Sequence, residues 1–223
     1  MDEIKNLVIF EMANNHQGDI EHAIKIVDVY SKLCQKYNIN GAIKLQFRDI
    51  PSFISKSQLK DKTNKHVDRF LETILSQEEF AKICNRIKGN GLKLVITPFD
   101  EVSVDNAIKH NVDIVKIASC SANDWPLIEK IASTQKDVIA STGGQNLKNI
   151  DKLHRFLEHK NINFSIMHCV SLYPTLPEQA NLGFIKKLKL RYPNTLIGYS
   201  GHEHPDDLIS ISYPPIMKWV VIS

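Results

Sequence analysis

Hydrophobic positions along the chain fall into short runs separated by polar turns and by longer stretches of helical period. The short runs at Leu7–Met12, Ala42–Phe47, Leu92–Thr97, Ile114–Ser119, Asp137–Ser141, Asn163–Val170 and Thr195–Ser200 predict strands. Amphipathic helices are expected between them, near 20–36, 77–90, 102–110, 125–134, 147–159 and 181–191. Leu147, Ile150, Leu153 and Leu157, for example, recur on one helical face. Ser76 and Glu79 have the spacing of a capping box, and Leu75 and Phe80 are placed to form the hydrophobic staple beside it. Strands alternating with helices argue for a parallel sheet covered by helices. Seven such units, with a further short strand at Trp219–Ile222, fit a TIM (β/α)₈ barrel better than an open sheet. The 223 residues are expected to form one barrel over 1–223, truncated at the C-terminal side or with an incomplete eighth unit. The long polar segment 48–75 is expected to run over the barrel mouth.

The second predicted strand alternates strictly. Ile43, Leu45 and Phe47 share one face, and Lys44, Gln46 and Arg48 the other. If the apolar face meets the helices, Lys44 and Gln46 point into the barrel, where branched apolar residues are usual. Polar groups buried there need partners, since an unpaired one costs about 1–3 kcal/mol. A bound anion is one such partner; an exposed edge strand with its polar face in water explains the strand equally well. The pattern recurs elsewhere. Glu11 ends the first strand, Thr97 the third, Lys116 interrupts the fourth, and Ser119, Ser141, Ser171 and Ser200 lie at the ends of strands four to seven. Each alone is explained by a buried ion pair or a helix cap. Together they gather at the C-terminal strand ends, where barrel active sites are built. Lysines and hydroxyls on one mouth suit a small phosphorylated carboxylate.

Composition narrows the partners. The 28 basic and 25 acidic residues are interspersed, which gives no case for a nucleic-acid partner. The basic group Lys186, Lys187, Lys189 and Arg191 fits the solvated face of a helix. No phosphate-binding glycine loop, dinucleotide fingerprint or nucleophile elbow is present. Four scattered cysteines make no CxxC pair and are expected to be free thiols in a cytoplasmic protein. No secretory leader or membrane-spanning run is apparent, so no membrane partner is expected.

The sequence resembles the sialic acid synthase family, including its legionaminate and pseudaminate relatives. The matching stretches are Glu11–Gly18, Ile43–Gln46, Ile96–Phe99, Val115–Ser119, Ser141–Gly144, His168–Thr175 and Gly198–Glu203, in the family's order. The resemblance implies a TIM barrel that condenses phosphoenolpyruvate with N-acetylmannosamine or a related amino sugar, using a divalent metal, manganese or magnesium. It places Lys44, Thr97, Lys116, Ser119, Ser141 and Ser200 at phosphoenolpyruvate-binding positions. Ser171 falls where some members carry an asparagine that touches the same ligand. Glu11 and Tyr173 match positions near the amino sugar, and His202 matches one of two metal-binding histidines. His16 and His168 are expected to be structural hydrogen-bonding residues.

Family members are homodimers whose antifreeze-like C-terminal domain covers the partner's site, after a strand carrying Glu-Arg-His. The 223 residues contain no Glu-Arg-His segment, the antifreeze-like domain is expected to be absent, and Pro214-Pro215 departs from the pattern. Two other readings stay open: an impaired homologue that binds ligand without turnover, and an aldolase forming a Schiff base on Lys116.

Overall fold

The computed structural model describes residues 6–60, 64–204, 206 and 220–222. Pro214 and Pro215 lie outside them. Eight parallel strands close into a barrel in sequence order. They are β1 (Val8–Glu11), β2 (Gly41–Phe47), β3 (Lys93–Pro98), β4 (Ile114–Ile117), β5 (Asp137–Ser141), β6 (Phe164–Cys169), β7 (Leu196–Gly201) and β8 (Val220–Ile222). The expected eighth strand is therefore present. It pairs with β1 from Val8↔Val220 to Phe10↔Ile222, and with β7 from Tyr199↔Val220 to Gly201↔Ile222.

Between the strands run α1 (Ile20–Tyr37), α2 (Ile50–Phe53), α3 (Lys65–Glu72), α4 (Gln77–Gly89), α5 (Glu101–Lys109), α6 (Trp125–Ser133), α7 (Leu147–His159) and α8 (Gly183–Arg191). Short polar side chains start most of the long ones. Asp19, Ser76, Asp100, Asp124 and Asn146 each accept a backbone N–H of the first turn. The capping box is formed: Ser76 Oγ accepts Glu79 N–H at 3.2 Å, and Glu79 Oε2 accepts Ser76 N–H at 2.7 Å. Leu75 belongs to the buried core cluster against which the partly buried Phe80 packs. Lys186, Lys187 and Arg191 are exposed on α8, as their clustering predicted. The segment 48–75 is more ordered than its polarity suggested, since it holds α2 and α3.

Alternation along the strands sorts side chains into two cores. Ile43, Leu45, Phe47, Leu94, Ile96, Val115, Ile117, Val138 and Ala140 pack outward into the helix layer. The opposite faces supply Ile9, Ala42, Val95, Ile114, Ile139 and Met167, which form a separate buried cluster with Leu7. That cluster plugs the inside of the barrel. Two residues further along each strand, on the same face, come Glu11, Lys44, Thr97, Lys116, Ser141 and Cys169. The interior thus has an apolar tier beneath a polar one. β2 has a neighbour on both sides, and Lys44 is only 4% exposed. This excludes the edge-strand reading of its polar face.

Candidate active site

The polar tier forms the floor of a cavity of about 450 Å³ at the C-terminal ends of the strands. Glu11, Lys44, Thr97, Lys116, Ser119, Ser141, Ser171, Tyr173, Ser200 and His202 all line it. Every site residue expected from sequence is therefore brought to one opening. Depth differs among them. Lys44, Thr97, Lys116, Ser141 and Ser200 are buried, Ser171 is exposed, and Tyr173 stands at the rim, 75% exposed.

At the centre of the floor Lys44 Nζ lies 2.5 Å from Glu11 Oε2. Their strands are in register, Glu11 opposite Lys44, so adjacent inward positions create the pair. Ala13, held at φ +44°, turns its N–H back onto Glu11 Oε1 at 2.9 Å. Gln46 Nε2 donates to Glu11 Oε2 at 3.4 Å. Burial by itself would raise the Glu11 carboxyl; the charge and hydrogen bond of Lys44, then the charge of Lys116, outweigh it and hold Glu11 below the usual carboxylate range.

Lys116 Nζ donates to Ser200 Oγ at 3.4 Å across the barrel. Burial, and then the nearby ammonium of Lys44, push Lys116 well below the usual lysine range. Two lysines face one carboxylate here, so an anion entering the floor favours the charged form of both. The buried hydroxyls of Thr97 and Ser141 have no hydrogen-bond partner among the described residues. Buried hydroxyls are rarely left unpaired. An anionic ligand on the lysines would supply the missing acceptors.

The side wall is built around Gly143. Its N–H donates to Ser119 Oγ at 2.9 Å, and a Cβ at this position would run into Ser171 Oγ and crowd Ser119 Oγ and Cys169 Sγ. Cys169 Sγ is 4.0 Å from His202 Nδ1. Burial raises its thiol, but the contacts with His202 and Ser119 more than reverse this and leave it below the usual value. Sequence reasoning treated Cys169 only as a free thiol. Its position two residues beyond Met167 on β6 was the available signal. All four cysteines are free, as expected.

His202 Nδ1 is 3.0 Å from the Val170 carbonyl oxygen, which it meets as a donor when protonated there; Nε2 is then the acceptor nitrogen. The ring packs against Tyr173 with centroids 4.1 Å apart. The metal implied by the resemblance does not fit these residues alone. Among the described residues no three His, Cys, Asp or Glu side chains are grouped to hold an ion. Glu203 bonds instead to the Tyr199 hydroxyl, and His204 is exposed beside Asp206. His16 and His168 are buried and structural: His16 Nδ1 accepts Gly18 N–H at 3.1 Å, and His168 Nε2 meets the Ala180 carbonyl at 2.7 Å.

Comparison with known proteins follows from this geometry. The NeuB family model matches residues 15–212. N-acetylneuraminate-9-phosphate synthase of Drosophila melanogaster is 31% identical over 207 residues, 88% of this chain and 54% of that protein. Pseudaminic acid synthase of Campylobacter jejuni is 30% identical over 208 residues, 89% of this chain and 59% of that protein. A crystal structure described as spore coat polysaccharide biosynthesis protein E of Chromobacterium violaceum superimposes with a TM-score of 0.91 at 40% identity, covering 97% of this chain and 65% of that one. The chain thus spans little more than half the length of these curated relatives. Among the described residues no helix is long and apolar enough to cross a membrane.

Proposed function

The chain belongs to the NeuB family, and from that premise we propose that its barrel condenses phosphoenolpyruvate with N-acetylmannosamine or a related amino sugar, giving a nonulosonic acid and phosphate. The observation that carries this reading is the buried pair Lys44 and Lys116, set among the unpartnered hydroxyls of Thr97 and Ser141. Phosphoenolpyruvate is a small polyanion with many acceptor oxygens. It pairs with both lysines of the floor and gives the buried hydroxyls acceptors in one step.

The lysines hold the phosphate and carboxylate and so fix the enol. Its methylene carbon attacks the sugar aldehyde, forming the new carbon–carbon bond while the aldehyde oxygen gains a proton. Water then adds to the cationic carbon bearing the phosphate, and loss of phosphate leaves the ketone. Glu11 is placed to move a proton at the aldehyde oxygen or to hold a sugar hydroxyl there. The buried floor excludes bulk water, which strengthens each of these charge interactions.

Binding calorimetry with phosphoenolpyruvate tests the site. Lys44→Met and Lys116→Met should each weaken binding by about 1.5–3 kcal/mol, the worth of a charged hydrogen bond. Unchanged affinity in both variants refutes it. The depressed Lys116 favours a second reading, since burial that disfavours the charged form is what activates the lysine of a Schiff-base aldolase. Borohydride with pyruvate separates the two: the proposed condensation forms no imine, so covalent trapping on Lys116 would establish the aldolase instead.

A further inference from the structure

Lys44 and Gln46 share the cavity face of β2, and Arg48 follows just past the end of the strand. Arg48 Nη2 donates to Gln46 Oε1 at 2.7 Å, and Gln46 Nε2 donates to Glu11 Oε2 at 3.4 Å. The Glu11 carboxylate therefore meets three donors, Ala13 N–H on Oε1 and both Lys44 and Gln46 on Oε2. Ala13 is fixed by the backbone and Lys44 by its charge. The Gln46 amide is the contact that can turn away. The chemistry proposed above gives Glu11 a part and Arg48 none.

The two ends of a glutamine amide have the same shape and opposite polarity. Reversed, Gln46 would set its carbonyl oxygen against the carboxylate. A guanidinium has donors and no acceptor, so it admits only the carbonyl end of its neighbour. Arg48 thus decides which way Gln46 faces. Arg48 is itself gripped: its guanidinium carbon sits 4.0 Å from the ring centre of Phe99 and 4.3 Å from that of Phe70. Phe99 N–H donates to the Phe47 carbonyl at 3.1 Å, which anchors one ring beside the end of β2, and Phe70 brings the other from α3. Stability does not account for this arrangement. Arg48 Nε is buried with no partner among the described residues. Arg86 and Arg191 close on Asp28 and Asp151, whereas Arg48 makes no ion pair among the described residues. Burial lowers it to about 10, still a cation at neutral pH.

We propose that Arg48 is a positioning residue for Glu11: its guanidinium takes the carbonyl end of Gln46, turns the amide nitrogen onto Glu11 Oε2, and so fixes the carboxylate that serves the condensation. The inference rests on the proposed condensation for the use made of Glu11; the relay itself belongs to the chain alone. A cation, an amide dipole and an anion are aligned head to tail, which strengthens both hydrogen bonds. The charged groups acting on Glu11 are then Lys44 in contact, Lys116 on the same floor, and Arg48 through the amide. Of the three, Arg48 is held by aromatic rings outside the polar tier. Through Phe70 the relay ties Glu11 to the connection that carries α3.

Carbon-13 NMR of the Glu11 Cδ in the whole chain, assigned with Glu11→Gln, reads the carboxyl directly. Its titration midpoint should rise in Arg48→Met and in Gln46→Met, because each weakens donation to the ionised form. Arg48→Lys keeps a donor but loses the stacked plane and should give an intermediate midpoint. It replaces Arg48→Met in every comparison if that variant fails to fold. The double variant decides the route. In the Gln46→Met background, Arg48→Met should move the midpoint little further. An equal shift in both backgrounds means that the charge of Arg48 acts without the amide, and overturns the relay. An unmoved midpoint in the folded single variant also overturns it. In sugar-dependent phosphate release, Arg48→Met should lower kcat about tenfold, within what a positioned proton-transfer group contributes, and leave KM for phosphoenolpyruvate unchanged. A role confined to stability shifts the unfolding transition and neither of these readouts, and that result refutes the positioning role. Absence of phosphate release from the unaltered chain counts against the condensation itself, while the carboxyl titration still decides the relay.

Discussion

Lys116 is buried beside a second ammonium and held well below its ordinary range. An anion placed between the two lysines reverses that imbalance, so phosphoenolpyruvate binding should draw a proton onto Lys116. Calorimetry in buffers of different ionisation enthalpy, run across a pH series, should show net proton uptake on binding, and Lys116→Met should abolish it. Gly143 makes a steric prediction. A methyl group there meets the hydroxyls of Ser171 and Ser119, so Gly143→Ala should lower phosphoenolpyruvate affinity by about 1–3 kcal/mol, the usual overpacking penalty, read by the same titration. At this scale much of the site was legible beforehand. Lysines and hydroxyls at inward strand positions break a pattern that a barrel otherwise fills with branched apolar residues, and that conflict points to Lys44, Lys116, Thr97 and Ser141. Arg48 was legible only as one more polar position on β2. Its closest aromatic faces come from Phe70 and Phe99, residues distant in sequence, and no local spacing announces them.

At the level of elements, the connection from β2 to α4 departs most from its expected form. α3 has eight residues, too few to be stable as an isolated helix, and its short stripe does not stand out from a polar loop. Contacts made by its neighbours fix the connection instead. Phe70 packs on Arg48, and the buried carboxylate of Asp100 ties the start of α2 to the start of α5. Asp100 Oδ2 accepts Asp49 N–H at 2.8 Å and Ser103 Oγ–H at 2.9 Å, while Oδ1 accepts Ser103 N–H at 2.7 Å. Asp100→Ala should therefore lower stability by about 2 kcal/mol, the upper range for a lost N-cap, measured by denaturant unfolding. Ser76→Ala removes an exposed capping box and should cost about 1 kcal/mol. The long helices were predictable to within a residue or two because caps and apolar stripe agree along each of them. The elements missed are those whose order depends on partners elsewhere in the chain.

Across the whole molecule, four histidines are held below their ordinary pKa of 6.5, each chiefly by burial: His16, His110, His154 and His168. In the unfolded chain they take up protons as pH falls through 6.5, whereas the folded chain resists until lower pH. The unfolded state then binds more protons, so stability is full above about 6.5 and declines below it. Glu11, also depressed, adds to the loss at still lower pH. The denaturant midpoint should accordingly be lower at pH 5.5 than at pH 7.5. The barrel itself was readable from the alternation of runs and stripes. Its division into an apolar tier and a polar tier was implicit in the same strands, once one face was assigned to the helices. That division has a kinetic consequence. The plug closes the barrel from beneath, so the lysine floor communicates with solvent only through the mouth that the second reactant must fill. Whatever occupies the mouth seals in the ligand below it. If the proposed condensation holds, addition should be ordered, phosphoenolpyruvate first, and an unreactive sugar analogue should inhibit uncompetitively against phosphoenolpyruvate, trapping it in place rather than displacing it.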